Sequence, residues 1–457
     1  MGNEVAVPPG AIHHSSRLAA DLGAERRTAS VLATATLLLA VAYGCVAQGG
    51  FYPGQQRVLL ALVALSGAFA VLAAPGRRVL AHAAIAVPAW ACGVGAAVVA
   101  RDVAGAEPVV AIVAAAAVAA LVTRSADREA RETLVSGLLV AGVALALSGW
   151  IGVAVRHDPL ALVDQGLWRA SSTLTYANAT AAVLAPLALV ALARATAEPR
   201  QRRWRLATFV LVVGVAATLS RAGWAALAIG GAVLVWRTGW RRTTRVTLPI
   251  LVGAAIATAG VVAVAPARLP SRPALATVTL LIGMAISCTP VRRPGRWLVA
   301  AALLAVGGLF IGAAFSSSRL TVSSPDRDNE WRATWAVASA HPLAGVGPSK
   351  LRLQWRGANG DTYVAHATHN EFLQLAAEQG FPALAVALAT FAVIGVALAR
   401  RAPPAGLAVL VAFLVASAFD FMWHVTLIPI LVAALVGAAL PFSDSGYGRP
   451  APTRLGL

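Results

Sequence analysis

Charge is scarce in this sequence: 12% of its 457 residues are Asp, Glu, Lys or Arg, against 58% that are hydrophobic. A mean hydropathy of +0.74 is far above what a water-soluble domain tolerates, so the chain reads as a membrane protein. Cysteine is almost missing. Cys45, Cys92 and Cys288 lie in or beside apolar blocks with no CxxC spacing, which argues against a disulfide framework or a thiolate metal centre and leaves them as small core residues. The Ala-Val-Leu blocks lack two-residue alternation, so a barrel is excluded and the spans must be helical. The N-terminal MGNEVAVPPGAIHHSSRLAADLGAERR is polar for too long to be a simple signal peptide, and Ala6 stands where a myristoylation start needs Ser or Thr.

What is present is a series of apolar segments of roughly 14 to 23 residues separated by arginines, against about 20 helical residues needed to cross the hydrocarbon core. Candidate spans lie at 29–48, 58–74, 79–100, 108–123, 133–155, 176–193, 206–219, 223–236, 246–266, 273–288, 297–315, 381–399, 405–418 and 425–441. The fold class expected is all-α, a polytopic transmembrane bundle of about 12–14 helices. Blocks 206–219 and 223–236 are short, which allows the SRAGW turn between them to lie below the membrane surface. The net charge of +18 does not point to nucleic acid, because the arginines sit in short loops where they set orientation. With both termini cytoplasmic, 24 of the 37 basic residues fall on the inner side. The expected organisation is a cytoplasmic tail (1–28), a transmembrane bundle (29–315), an extracytoplasmic loop with catalytic elements (316–380), C-terminal transmembrane helices (381–441) and a second cytoplasmic tail (442–457).

Apart from the basic loops, the polar residues that demand explanation gather on the expected outer face: TYANAT at 175–180, SRAGW at 220–224, the loop 316–380 and FDFMWH at 419–424. Arg221 lies between two apolar helices with no acidic neighbour in sequence; it is either a functional cation or a helix-end anchor that snorkels to the headgroups. At the start of NEWRATWAVASAHPLAGVG, Asn329 and Glu330 with the preceding Asp328 suit a helix N-terminus, and Trp331, Trp335 and Ala338 fall on or near one face. Arg332 then projects beside the tryptophans, to grip an anion or to pair with Asp328 four residues earlier. GVGPSK lacks the spacing of a phosphate loop and reads as a turn.

His366 and His369 are three apart, which would allow a shared helical face and a metal site with Glu371 or Asp361. Two histidines without a second pair are thin support for a metal. A single catalytic imidazole at His369 fits better, with Asn370 capping the helix that follows. Asp420 and His424, four apart at an outer helix end, are able to hydrogen-bond each other, and Tyr176 and Asn178 open another span from the same side; each also reads as an ordinary cap or interfacial anchor.

Taken together, these residues resemble the O-antigen ligase and O-antigen polymerase superfamily of polytopic membrane proteins. Its histidine element, His followed by Asn, Ser or Gln, nine residues and Gly, is matched by His369, Asn370 and Gly380. The likeness extends to TYANAT, SRAGW, Arg332-xx-Trp335 leading to HPLAGVG, and Asp420 with His424. Ligases often continue Gly-x-x-Gly, Thr or Tyr after that glycine, whereas Gly380 is followed by Phe-Pro-Ala383, which leaves ligase against polymerase open and slightly favours a polymerase.

The resemblance implies a GT-C-like fold and a metal-independent glycosyltransferase without cofactor, in the bacterial cytoplasmic (inner) membrane with its active site facing outside. The implied donor is an undecaprenyl-diphosphate-linked glycan and the acceptor a hydroxyl of a growing polysaccharide or a lipid. It implies His369 as general base, Arg221 and Arg332 as diphosphate ligands, and Tyr176, Asn178, Trp335, Asn370, Asp420 and His424 in supporting or substrate-binding roles. A transporter, either a glycolipid flippase or a bicarbonate-transport-associated protein, would need a charged path at the bilayer midplane and inverted repeats, and neither is evident. A scaffold would tolerate loss of His369 and Arg332.

Overall fold

The computed structural model describes residues 9–73, 103–289, 325–357 and 360–440, so the expected spans 79–100 and 297–315, with the C-terminal tail, lie outside the described residues. The rest is a helical, multi-pass membrane architecture. Thirteen α-helices run in order among the described residues: α1 (Pro9–Val46), α2 (Pro53–Ala73), α3 (Val103–Ser125), α4 (Arg128–Val155), α5 (Ala177–Ala197), α6 (Arg202–Ala217), α7 (Arg221–Thr238), α8 (Trp240–Val264), α9 (Pro273–Ser287), α10 (Pro325–Ala340), α11 (Glu371–Arg401), α12 (Pro404–Ser417) and α13 (Leu427–Ala439). Among the described residues seven helices are long and apolar enough to cross a membrane. Shorter apolar helices, α9, α12 and α13, stand beside them. Alanine and leucine, strong helix formers, dominate these segments, and a helix satisfies its own backbone in lipid.

α5 is the axis of the bundle. It packs against α4, α6, α7, α8, α12 and α13, and 89% of its apolar window is buried inside the protein. Its alanine-rich surface lets neighbouring backbones approach closely, and packing of this kind holds helices together where lipid removes the hydrophobic drive. The SRAGW turn between α6 and α7 is buried at Thr218 and Ser220, and Ser220 caps α7 by accepting from the Gly223 N–H.

Two antiparallel hairpins modify the all-α expectation. β1 (Ala161–Asp164) and β2 (Leu167–Ala170) join through Gln165 and Gly166, both at positive φ, as a two-residue turn requires. This hairpin bonds to the end of α8 through the Trp168 N–H to the Ala265 carbonyl (2.8 Å). β3 (Leu353–Arg356) and β4 (Thr362–Ala365) lie in the expected outer loop, where Trp355 stacks on its cross-strand partner Tyr363 at 5.9 Å between centroids.

The expected tail 1–28 and loop 316–380 merge into helices at their edges. α1 begins at Pro9, and α11 begins at Glu371 and runs through the loop boundary with a kink at Gly380. Gly380 has φ +81, and a Cβ there would stand 2.3 Å from the Leu343 carbonyl oxygen. HPLAGVG docks against this kink: the Phe381 N–H donates to Pro342 O at 2.8 Å, and Val346 and Gly347 donate to the carbonyls of Ala377 and Glu378. Two motifs far apart in the sequence are thus one structural joint, tying α10 to α11.

The loops divide into two ends. One end joins 46–53, 155–177, 217–221, 264–273 and 417–427, linked by Arg156 to the carbonyls of Val264 and Pro266, Arg169 to Thr218 O, Thr173 to Cys45 O, and Thr426 to Gly50 O. At the other end, Arg194 pairs with Glu132, and Arg205, Arg237 and Arg242 donate to carbonyls of Thr289, Ala402 and Thr196.

Candidate functional site

His369 lies just before α11, where Asn370 caps the helix by accepting from the N–H groups of Phe372 and Leu373, both at 3.1 Å. The cap stops the helix short of His369 and turns its imidazole toward α10. There Glu330, 3% exposed, accepts twice: from the His369 backbone N–H at 2.8 Å and from Nδ1 at 2.9 Å. A carboxylate only accepts, so Nδ1 carries the proton and the Nε2 lone pair is left for chemistry. Burial lowers the His369 pKa; the hydrogen bond to Glu330 and the charges of Asp420 and Glu330 outweigh it against the opposing Arg327, and the net direction is upward from 6.5. Trp331 closes the arrangement by donating Nε1–H to His369 O at 3.3 Å.

Glu330 is the partner of His369 that sequence reasoning passed over, counting it among the charges of a helix start. The expected face of Trp331, Trp335 and Ala338 is buried only at Ala338: Trp335 is 55% exposed, and the buried stripe runs instead through Glu330, Thr334 and Ala338, spaced by four. That spacing was the available signal, an acid in register with an apolar stripe.

A second group meets at Asp420, whose side chain is fully buried between α12 and α13. Tyr176 donates its hydroxyl to Asp420 Oδ2 at 2.6 Å, and Asn178 Nδ2 donates to the same oxygen at 2.5 Å. Arg327 Nη2 stands 3.8 Å away. Burial first, then the Asp420 charge, raise the Tyr176 pKa well above 10.0, so the phenol remains a donor. Asn178 Oδ1 in turn accepts from Arg169 Nη2 at 2.8 Å, and Arg169, held by the β1–β2 hairpin, also donates to Asp164 and Thr218. Phe421 sits between the two groups, parallel to Tyr176 at 5.3 Å and tilted against the His369 ring at 5.3 Å.

The expected Asp420–His424 hydrogen bond does not form, because the 418–426 segment leaves the helix and points the two side chains to different partners. His424 Nδ1 lies 3.2 Å from buried Glu371 and its Nε2 3.2 Å from Gln374 Nε2. Burial opposes its charge, but Glu371 and then Glu378 prevail and hold its pKa at about 9. His366 and His369 share no helical face, since both precede α11 and His366 is exposed. Among the described residues no group of three His, Cys, Asp or Glu is placed to hold a metal.

His369, Asn370, Tyr176, Asn178 and Asp420 are therefore brought together around Phe421, with His424 one turn of chain beyond. Arg221 is the first residue of α7 and exposed; Arg332 and Trp335 are exposed on α10. Arg332 and Asp328 both lie open to solvent, where an ion pair would contribute little. Trp335 meets Phe381 edge-on at 5.7 Å, beside the Gly380 joint.

Residues 206–388 match the family described as O-antigen ligase. The match supports the resemblance to the O-antigen ligase and polymerase superfamily; it encloses Arg221, Glu330, Arg332 and His369 and leaves Tyr176, Asn178, Asp420 and His424 on either side. No curated protein matches the chain.

Proposed function

Starting from a multi-pass membrane protein with an O-antigen ligase domain at residues 206–388, we propose that it transfers a glycan from undecaprenyl diphosphate to a hydroxyl acceptor on the outer face of the bacterial cytoplasmic membrane. The observation that carries this reading is the His369–Glu330 pair, an imidazole whose Nδ1 is held by a buried carboxylate. Such a pair fixes the tautomer and stabilises the imidazolium formed during proton transfer.

In the proposed step the acceptor oxygen attacks the anomeric carbon while Nε2 of His369 takes its proton. The bond between that carbon and the diphosphate oxygen breaks, and the electron pair leaves with the lipid diphosphate. Direct displacement inverts the anomeric configuration. Arg221 and Arg332 meet the negative charge on the leaving group, so the chemistry has no need of a metal. Asn370 orients His369 through its cap, and the Tyr176–Asn178–Asp420 network shapes the wall opposite. His424 supports the start of α11 through Glu371, and Trp335 flanks the joint at Gly380. The acceptor is a growing polysaccharide or a lipid.

The purified full-length protein in detergent, given an undecaprenyl-diphosphate glycan, candidate acceptors and a chelator, should release lipid diphosphate. His369→Ala should lower turnover by about 10²-fold or more, the range a positioned general base supplies. Normal turnover by that variant would remove His369 from the mechanism.

A further inference from the structure

Beside the His369 centre is a small cavity of about 200 Å³ that the proposed chemistry does not use. One wall is Tyr176 with Phe421, the ring that touches His369. The other is the segment between α1 and α2, with Gln48, Phe51 and Tyr52. Thr175 adds a hydroxyl, and none of the nine lining residues is charged. Resting on the glycosyltransferase reading above, we infer that this cavity is the subsite for one neutral sugar ring of the acceptor, set in the corner between the perpendicular rings of Phe51 and Tyr52 beside the base.

Size limits the occupant. The cavity lies below the about 300–1,000 Å³ of drug-sized sites, so it suits a single ring rather than an oligosaccharide chain. The lining chooses its charge. A lipid diphosphate needs cations, which this cavity does not offer, whereas a sugar presents C–H faces to aromatic rings and hydroxyls to Gln48 and Thr175.

The wall is built in advance. Gln48, Gly49 and Gly50 are all at positive φ (50°, 71° and 67°), and a Cβ on Gly49 would meet Val425 Cγ1 at 2.4 Å. For Gln48, a residue with a side chain, that backbone is costly and persists because its surroundings impose it. Thr426 donates to Gly50 O at 3.1 Å and accepts from Gln56 Nε2 at 3.1 Å, tying this segment to the loop that carries Phe421. Gln55 Nε2 donates to Gln48 Oε1 at 3.3 Å, fixing the Gln48 amide. Phe51 and Tyr52 meet edge to face at 5.4 Å and remain 46% and 54% exposed, an ordered pair of aromatic faces with open area. All of these residues lie outside the stretch that matches the ligase family, which is where a choice of acceptor would be written if 206–388 supplies the shared chemistry.

Binding without turnover tests this. The full-length protein in detergent is mixed with methyl glycosides of glucose, galactose, mannose and rhamnose, and saturation transfer from aromatic protons to sugar ring protons is read by NMR. At least one glycoside should receive saturation, and Phe51→Ala and Tyr52→Ala should each weaken binding roughly two- to tenfold, the range of one aromatic contact. Both side chains are substantially exposed, so either variant should keep the fold. Glu132→Gln, at the opposite end of the bundle, should leave binding unchanged. The proposal is overturned if no glycoside binds, if both aromatic variants bind as the parent does, or if inorganic diphosphate displaces the glycoside. Normal turnover by His369→Ala would defeat the catalytic reading instead and leave this result standing.

Discussion

The two ends of the bundle differ in where acids are buried. At the end with the β1–β2 hairpin, Glu330, Glu371, Glu378 and Asp420 are buried to 3%, 2%, 4% and 0% exposure, while Asp164 on the hairpin itself and Glu132 at the other end each keep about half of the side chain open. Arginines differ in their partners rather than their burial. Arg169 is a buried clip among Asp164, Asn178 and Thr218, while Arg205, which is also buried, Arg237 and Arg242 at the far end donate to single carbonyls at 3.0, 3.4 and 3.3 Å. A buried carboxylate is expensive unless every lone pair is used, so four of them at one end require a reason beyond stability. Orienting a base and shaping its surroundings, as the proposed function requires, would be such a reason; setting membrane orientation would suffice for the other end.

Breaking the contrast at its most buried point should have the largest effect. Asp420→Ala leaves the Tyr176 hydroxyl and an Asn178 N–H without their acceptor and Arg327 without its counter-charge, at a cost of about 3–5 kcal/mol. Thermal unfolding of the detergent-purified protein should show a large drop, and Asp420→Asn, which retains an acceptor oxygen, should recover part of it.

Glu330→Gln sharpens the comparison at the base. Because Glu330 raises the His369 pKa, removing its charge lets that pKa fall, and the acid limb of the pH–rate profile should move to lower pH. The plateau should drop by about 10- to 100-fold, or roughly 1.4–2.7 kcal/mol, as the imidazolium loses its stabilising partner. A plateau drop with an unmoved limb would mean that Glu330 serves the fold alone.

His424 gives a smaller effect with a definite sign. Its pKa rises from 6.5 to about 9 on folding, so the native state binds the proton more tightly. The stability it contributes is fully present below pH 6.5 and is lost as pH rises through about 9. Unfolding temperatures from pH 6 to 10 should therefore fall over that window in the parent, and His424→Asn should flatten the decline.

Much of the fold is legible because lipid allows few choices. Apolar length and arginine position predict helices that the structure places within a few residues, as with 273–288 against α9 at Pro273–Ser287 and 405–418 against α12 at Pro404–Ser417. The hairpins are not legible, since four-residue strands such as Leu167–Ala170 have no period to read. At the site, His369 and Asn370 stand out as polar residues before an apolar helix, whereas Glu330 hides in a solvated-looking helix start. Its importance depends on which face of α10 turns inward, and α10 is tied in place by contacts such as the Gly380 joint, roughly fifty residues after Glu330. Asp420 and His424 are visible as a pair in sequence, but pairing by spacing presumes a helix that ends at Ser417.

The smallest effect belongs to the opposite end. Glu132 pairs with Arg194, yet the acid is 51% exposed and the guanidinium also lies over the Trp204 ring, 5.3 Å from its centroid. An ion pair this open is worth about 0–1 kcal/mol, because water and salt screen it and two long side chains must be ordered to form it. With the acid neutralised, Arg194 keeps its stacking on Trp204 and its place at the C-terminal turn of α5, where the helix dipole favours a cation. Glu132→Gln should therefore shift unfolding by less than about 1 kcal/mol and leave turnover unchanged. A loss as large as that of Asp420→Ala would mean that the arginine-lined end also holds a demanding site, and the division of labour between the two ends would fail.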